Sequence, residues 1–333
     1  MLILNQADVR RLLPMRECVD VMAATLATLA RGEAAMPLRT VMRVPNSRDF
    51  FAVMPAFLSE PRSLGAKVIT VFPGNHGTAL DSHQGAVLLF DAKDGSLVAL
   101  LDATAVTTIR TAAVSAVATR LLAREGPAEV AILGAGVQGH SHLEAMHAVR
   151  TIAKLHVWSR STDHARALVR LATERMGLDA RVAGSAEQAV RASSIICTTT
   201  ASAEPVLLGE WLTPGSHVNA IGASTPNARE VDTAAVVRAR LYVDRRESAL
   251  NEPGDILVPL KSGAITADHI RGEIGELLLG RAEGRTNGTD ITLFKSLGLA
   301  VEDLGAACHV YAKAVREGAG VRVALGGARD AAH

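Results

Sequence analysis

Short apolar runs and stretches of helical periodicity take turns through the second half of the chain. Residues 130–133, 155–158, 194–198, 217–221 and 241–243 read as buried strands, with helices at 140–150 and 163–174 between the first of them. Alternation of this kind implies βαβ units and a parallel, doubly wound sheet. The first half has another texture. Residues 14–31 open with Pro14, which a first helical turn tolerates, and place Val19, Met22, Leu26 and Leu29 on one face before Gly32 ends the run. From 38 to 101 come β-rich runs at 38–44, 50–54, 64–71, 85–90 and 97–101, and Asp94-Gly95 between the last two is a hairpin signal, so a largely antiparallel sheet is expected. Residues 103–124 contain no Gly or Pro and predict a long connecting helix; 299–317 predict a last helix that folds back on the first domain. The Ala/Gly-rich tail after Gly318 shows no pattern and reads as loosely held.

The strand at 130–133 runs into Gly134-Ala135-Gly136-Val137-Gln138-Gly139, with helical spacing after it. That strand, turn and helix order is what a dinucleotide site needs. Gly134 permits the tight turn, Gly136 lets backbone approach a pyrophosphate, and Gly139 lets the helix pack on the strand with its N-terminus toward the anion. The pattern gains its specificity from the strand before it and the helix after it.

Composition narrows the classes. A chain of 333 residues suits two domains better than one core. Its net charge of +1 gives no bias toward nucleic acid or an anionic membrane, and no stretch is apolar for long enough to span a bilayer. Cys18, Cys197 and Cys308 share no metal or redox spacing and read as reduced, structural residues of a cytoplasmic protein. His76, His83, His140 and His142 lack metal-ligand spacing, so no metal site is expected. Asp81, Ser82 and His83 are neighbours in a loop, which does not make a hydrolase triad. Glu302-Asp303 begins a helix, where carboxylates favour the dipole without any catalysis.

Several blocks together carry a resemblance over almost the whole chain: Ser82-His83-Gln84-Gly85, Ile109-Arg110-Thr111-Ala112-Ala113, the glycine turn, Asn219-Ala220-Ile221-Gly222-Ala223-Ser224, Lys295-Ser296-Leu297-Gly298 and Val301-Glu302-Asp303. In this order they resemble the ornithine cyclodeaminase and μ-crystallin family. The resemblance implies an α/β fold: a Rossmann-type doubly wound parallel sheet at 119–298, and an α+β substrate-binding and dimerisation domain from 1–118 and 299–333, assembled as a homodimer. The family divides at one segment. Cyclodeaminases carry Gly-Gly-Asp-Cys-Pro-Gly-Lys there, with the aspartate as general acid/base, whereas this chain reads Gly222-Ala223-Ser224-Thr225-Pro226-Asn227-Ala228-Arg229-Glu230. A Ser224 hydroxyl without a nearby base cannot take over that role at neutral pH. This form looks like the branch that reduces the cyclic ketimines Δ1-piperideine-2-carboxylate and Δ1-pyrroline-2-carboxylate.

An acidic residue about 20 positions after the glycine turn would bind the ribose 2′-hydroxyl of NAD. Here the strand ends in Ser159-Arg160-Ser161-Thr162, with no carboxylate. Arg160 can pair with a 2′-phosphate while the hydroxyls assist, which favours NADPH, with NADH as the alternative. By resemblance, Val137 and Gln138 lie under the pyrophosphate, and Thr199 ends a cofactor-lining strand. Val218, Asn219, Ala220 and Ile221 pass the nicotinamide, Ser82 and Ser296 hold its carboxamide, and His83 and Thr111 complete the cofactor set.

A small 2-imino acid offers one carboxylate and one C=N bond. Arg110, among apolar and small neighbours, is costly unless paired, and either an anionic ligand or an internal salt bridge would explain it. Lys67 interrupts an apolar strand and can serve as cation or proton donor, although strand lysines often face water. Arg39 and Leu297 join the substrate set by resemblance, and Ser224 stands with Lys67 and Arg110 as a candidate catalytic position. His83 is a second proton-donor candidate. The expected reaction is hydride transfer from NAD(P)H to the imine carbon, giving L-pipecolate or L-proline. The rival readings are ornithine cyclodeaminase, an alanine- or opine-type dehydrogenase, and a non-catalytic NADPH or small-ligand binder.

Overall fold

The computed structural model describes residues 1–75 and 77–325, so His76 lies outside the described residues. The chain divides into two compact units, Met1–Arg110 with the segment from Leu299 on, and Thr111–Gly298.

The first unit is built on a sheet of β1 (Leu2–Leu4), β2 (Ala34–Ala35), β3 (Thr40–Arg43), β4 (Phe50–Ser59), β5 (Arg62–Val71), β6 (His83–Asp91), β7 (Leu97–Asp102) and β16 (Val321–Arg322). Their order is β16-β1-β7-β6-β5-β4-β2, with β3 also on β4. The central strands β4 to β7 form an antiparallel meander. Gly95 closes its last turn with φ +78°, as the Asp94-Gly95 signal implied. β4 continues past the expected end at residue 54 because Pro55 falls opposite the gap between β2 and β3, where no ladder bond is demanded of it.

Period-two alternation decides which face is covered. Ala52, Met54, Ala56 and Leu58 of β4 are buried, and their neighbours along the strand are half-exposed. The helices Met15–Ala30 and Ala300–Glu317 pack on the buried face. They cross closely at Gly305, where a Cβ would stand 2.3 Å from Thr25 Oγ1. Two local features depart from the sequence reading. Asn5 caps an unforeseen helix, Gln6–Leu12, through a reciprocal bond pair with Asp8. Of the tail expected to be loosely held, Val321–Arg322 pair with β1, which offers an open edge there, and residues 326–333 lie outside the described residues.

The second unit holds β8 (Ala128–Leu133), β9 (Ile152–Trp158), β10 (Ala180–Val182), β11 (Ile195–Thr198), β12 (His217–Ala220), β13 (Arg240–Val243), β14 (Ile270–Glu273) and β15 (Thr292–Lys295). All pair in parallel, in the order β10-β9-β8-β11-β12-β15-β13-β14. β11, β12 and β15 are buried along their whole length, as strands covered on both faces must be. The helix Ala103–Leu122 crosses the division between the units at Arg110 and Thr111.

Candidate active site

Each glycine of the turn meets a distinct demand. Gly134 has φ +107°, a backbone that L side chains rarely adopt, and a Cβ there would also meet Thr199 O at 2.8 Å. A Cβ on Gly139 would stand 2.1 Å from Gly134 O, so the helix Val137–Val149 packs on β8 only with glycine at that place. At Gly136 a Cβ would meet nothing within 4 Å; the space in front of this helix N-terminus is open. Thr199 Oγ1 reaches Gly134 O at 2.7 Å and ties β11 to the turn. Ser296 is 1% exposed, and its hydroxyl has no partner at the end of β15. An orphaned hydroxyl, an open helix N-terminus and a glycine turn at the carboxyl ends of parallel strands fit a dinucleotide.

The other cofactor candidates of this unit sort by position. Val137 is exposed, and Gln138 keeps a buried side-chain amide oxygen without a partner. Val218 and Asn219 lie inside the sheet, and the Asn219 amide is engaged by Thr119 Oγ1 (2.9 Å). Ala220 O accepts from Lys295 Nζ (3.1 Å), Ile221 follows it, and Thr111 is buried on the long helix. Ser161 caps the helix Thr162–Met176, and Ser159 and exposed Arg160 precede it at the end of β9. Leu297 N–H donates to Asp244 (2.6 Å), and Ser224 is exposed on the loop after β12.

In the first unit the structure assembles a charge cluster. Lys67 and Arg110 are each 3% exposed, Glu302 0% and Asp303 1%. Lys67 Nζ lies 2.7 Å from Asp303 Oδ2. Arg110 Nε donates to Asp303 Oδ1 at 2.8 Å and Nη1 to Glu302 Oε2 at 2.7 Å. Arg39 is close enough for its charge to be felt at Lys67 and His83. Ser82 and His83 stand at the start of β6 in this same unit, with His83 Nδ1 buried and unpartnered.

Burial sets the acidities. It pulls Lys67 down to about 8, against the opposing charge of Asp303. It would raise Asp303, but Arg110 and Lys67 outweigh it and hold that carboxyl below its ordinary value. Burial, with help from Lys67, takes His83 down to about 4, so His83 is neutral near pH 7. A neutral imidazole is a poor proton donor, whereas a lysine near 8 is charged and still acidic at that pH.

Two sequence readings change here. The Glu302-Asp303 pair does more than favour a helix dipole, because both carboxylates are buried against Arg110 and Lys67. Arg110 is internally paired, so its burial alone does not demand a ligand. Sequence reasoning also missed Glu230, Asp255 and Lys295, three buried charges of the second unit. Lys295 and Glu230 stood inside quoted motifs, but a charge in a four-residue strand or at a loop end carries no periodic signal. Among the described residues no three His, Cys, Asp or Glu side chains gather as a metal site.

Fold and glycine turn define the class, a dinucleotide-binding α/β protein with a separate sheet unit. Residues 1–318 match the ornithine cyclodeaminase/mu-crystallin family. The mouse ketimine reductase mu-crystallin is 43% identical over 296 residues, 88% of this chain and 90% of that protein. The solved Thermococcus litoralis Δ1-pyrroline-2-carboxylate reductase, in complex with NADH and L-proline, aligns with a TM-score of 0.94 at 37% identity, covering 97% of this chain and all of that one. A dimer of an archaeal alanine dehydrogenase with bound NAD aligns with a TM-score of 0.92 at 31% identity, covering 98% of this chain and 99% of that one. The chain belongs to the ornithine cyclodeaminase/mu-crystallin family.

Proposed function

We propose that this protein is an NAD(P)H-dependent reductase of cyclic ketimines, converting Δ1-pyrroline-2-carboxylate or Δ1-piperideine-2-carboxylate to L-proline or L-pipecolate. The observation that carries the reading is the buried cluster of Lys67, Arg110, Glu302 and Asp303, which holds a lysine of lowered pKa and an oriented guanidinium side by side, with the charge of half-buried Arg39 felt at Lys67. Similarity to the mouse ketimine reductase and to the Thermococcus pyrroline-2-carboxylate reductase supports it.

In this mechanism Arg110 and Arg39 hold the carboxylate. Glu302 and Asp303 fix the Arg110 guanidinium through two different nitrogens, so it presents one orientation. Lys67 Nζ gives a proton to the imine nitrogen, because an iminium accepts hydride better than a neutral imine. A reduced nicotinamide, when bound, supplies the hydride. Gly134, Gly136, Val137, Gln138, Gly139, Thr199 and Ser296 would hold it, and the resemblance adds Ser82, His83, Thr111 and the residues 218–221. Leu297 borders the substrate. Ser224 replaces the cyclodeaminase aspartate, and its hydroxyl keeps an acid/base out of that position.

We assign NADPH as the favoured cofactor from exposed Arg160 at the end of β9, in a segment without a carboxylate. The homodimer is proposed on the outer face of the first unit's sheet. Val53, Phe57, Leu64, Val68, Leu88 and Phe90 form an apolar patch there that the helices Met15–Ala30 and Ala300–Glu317 leave uncovered. The cytoplasm is the proposed location, on the three unpaired cysteines. The reading is tested by following reduced-cofactor absorbance with each imine, beside pyruvate plus ammonia and beside ornithine with NAD. Oxidation by either imine far above the pyruvate rate supports the reductase; ammonia release from ornithine without imine reduction rejects it.

A further inference from the structure

A second set of buried charges lies at the carboxyl ends of β11, β12 and β15. Glu230 is 0% exposed, Asp255 1% and Lys295 0%. Four donors converge on the Glu230 carboxylate. Thr200 gives its backbone N–H (2.6 Å) and its hydroxyl (2.7 Å) to Oε1, while Thr198 Oγ1 (2.8 Å) and the N–H of Gly222 donate to Oε2. Glu230 is itself held from behind. Its N–H and that of Val231 donate to Asp255 Oδ1 (2.8 and 3.1 Å). Asp255 Oδ2 faces Lys295 Nζ at 3.1 Å, and Lys295 donates to Ala220 O.

The four donors belong to the ends of β11 and β12, and β11 lies beside β8 and its glycine turn. Thr198 closes β11, and Gly222 opens the loop after β12 that carries Ser224. The bond from Gly222 N–H to Glu230 closes that loop on itself, and a Cβ at Gly222 would stand 1.9 Å from Thr200 O. Thr199, between the two threonines that Glu230 holds, is bonded to Gly134 O. Tension or slack at Glu230 therefore passes through 198–200 to the glycine turn.

We propose that Glu230 is a positioning residue for the nicotinamide cofactor: its carboxylate locks residues 198–200 and the Gly222 end of the Ser224 loop into the surface on which the dinucleotide lies. This rests on the reading of that edge as the cofactor site. Only a carboxylate accepts from four donors on two oxygens; a glutamine of the same shape offers one acceptor oxygen and turns an NH2 group against two donors. Burial pushes the Glu230 carboxyl up, while Lys295 and the Thr200 bonds pull it down. A buried ionic cluster is a poor way to add stability, since apolar replacements often do as well, but it specifies one arrangement of the backbone that it bonds. Carboxyl ends of parallel strands beside a glycine turn are where that specification matters for a ligand.

The test uses Glu230→Gln and, as a variant that buries no new charge, Thr200→Val. Cofactor dissociation constants are read from protein-fluorescence quenching by NADPH and NADH, imine KM at saturating cofactor, and Tm by thermal melting. The cofactor constant is expected to rise about tenfold in Glu230→Gln, the order set by losing a buried bond to a charged group, and severalfold in Thr200→Val. The imine KM stays within about twofold in both. If Glu230→Gln does not fold, Thr200→Val carries the test alone. A lower Tm with unchanged cofactor constants, or cofactor and imine constants rising together, overturns the positioning role. Failure of the unaltered protein to bind either cofactor overturns the site reading itself.

Discussion

Replacing Asp303 by Asn removes the charge nearest Lys67 and leaves the side-chain volume almost unchanged. In the intact protein burial lowers Lys67 to about 8, and Asp303, 2.7 Å away, keeps it from falling further. The other charges around Lys67 are Arg110 on the long helix, Arg39 before β3 and Glu302 beside Asp303, with neutral His83 on β6. An opposite charge at this separation is worth about one to three pKa units, so Lys67 in Asp303→Asn should titrate between about 5 and 7. The sign follows from the role of Lys67 as proton donor. Its charged form is the active one, so kcat/KM falls as pH rises through the Lys67 value. The limb near pH 8 in the unaltered enzyme should therefore move to lower pH in the variant. At pH 8, where the unaltered Lys67 is about half charged, the loss is then about fivefold to five-hundredfold, and much of it should return at pH 5.5. Breaking a buried ion pair also costs about 3–5 kcal/mol. Arg110 keeps Glu302, so melting should come earlier but stay cooperative. The assay is kcat/KM for imine reduction from pH 5 to 10 at 15 °C, with the titration of the free imine measured alongside. A variant whose activity drops equally at every pH, with the limb unmoved, refutes Lys67 as the donor tuned by Asp303.

Arg110→Lys keeps the charge but cannot bond Glu302 and Asp303 through a planar fork, so the imine KM should rise about tenfold or more with cofactor binding unchanged; an unchanged KM removes Arg110 from the substrate site. Arg160→Glu should weaken NADPH far more than NADH, by about 2 kcal/mol or more in direct binding, as loss of a charge-assisted pair implies; equal effects on both cofactors remove the 2′-phosphate assignment. Val68→Asp places a charge in the middle of the apolar sheet face, and sedimentation velocity should show the dimer dissociating at micromolar concentration while the circular dichroism spectrum persists. A dimer that withstands it does not use this face.

Local demands were the ones legible in the sequence. Gly134 and Gly139 are dictated by the turn and by the helix packed on β8, within a few residues of each other. Lys67 and Arg110 stood out as charges in apolar surroundings, and both are buried. What escaped were partners far along the chain. Glu302 and Asp303 sit where a helix start already explains acidic residues, so nothing local signalled that they meet Lys67 and Arg110. Glu230 escaped for the same reason, since its donors at Thr198, Thr200 and Gly222 meet it only once β11 and β12 lie side by side. β10 and β14 each carry an exposed arginine, Arg181 and Arg271, which breaks the apolar run that marks a buried strand. The tail strand β16 depends wholly on the edge that β1 offers.

Hydride transfer to the imine carbon is the central claim, and isotope transfer tests it most directly. The enzyme is incubated with Δ1-pyrroline-2-carboxylate and NADPH carrying deuterium at C4 of the nicotinamide, in ordinary water, and the product is resolved by chirality and mass. The account predicts L-proline with one deuterium at C2 when the transferred face is labelled and none when the opposite face is. Proline without deuterium from either labelled cofactor, or no proline at all, would contradict it.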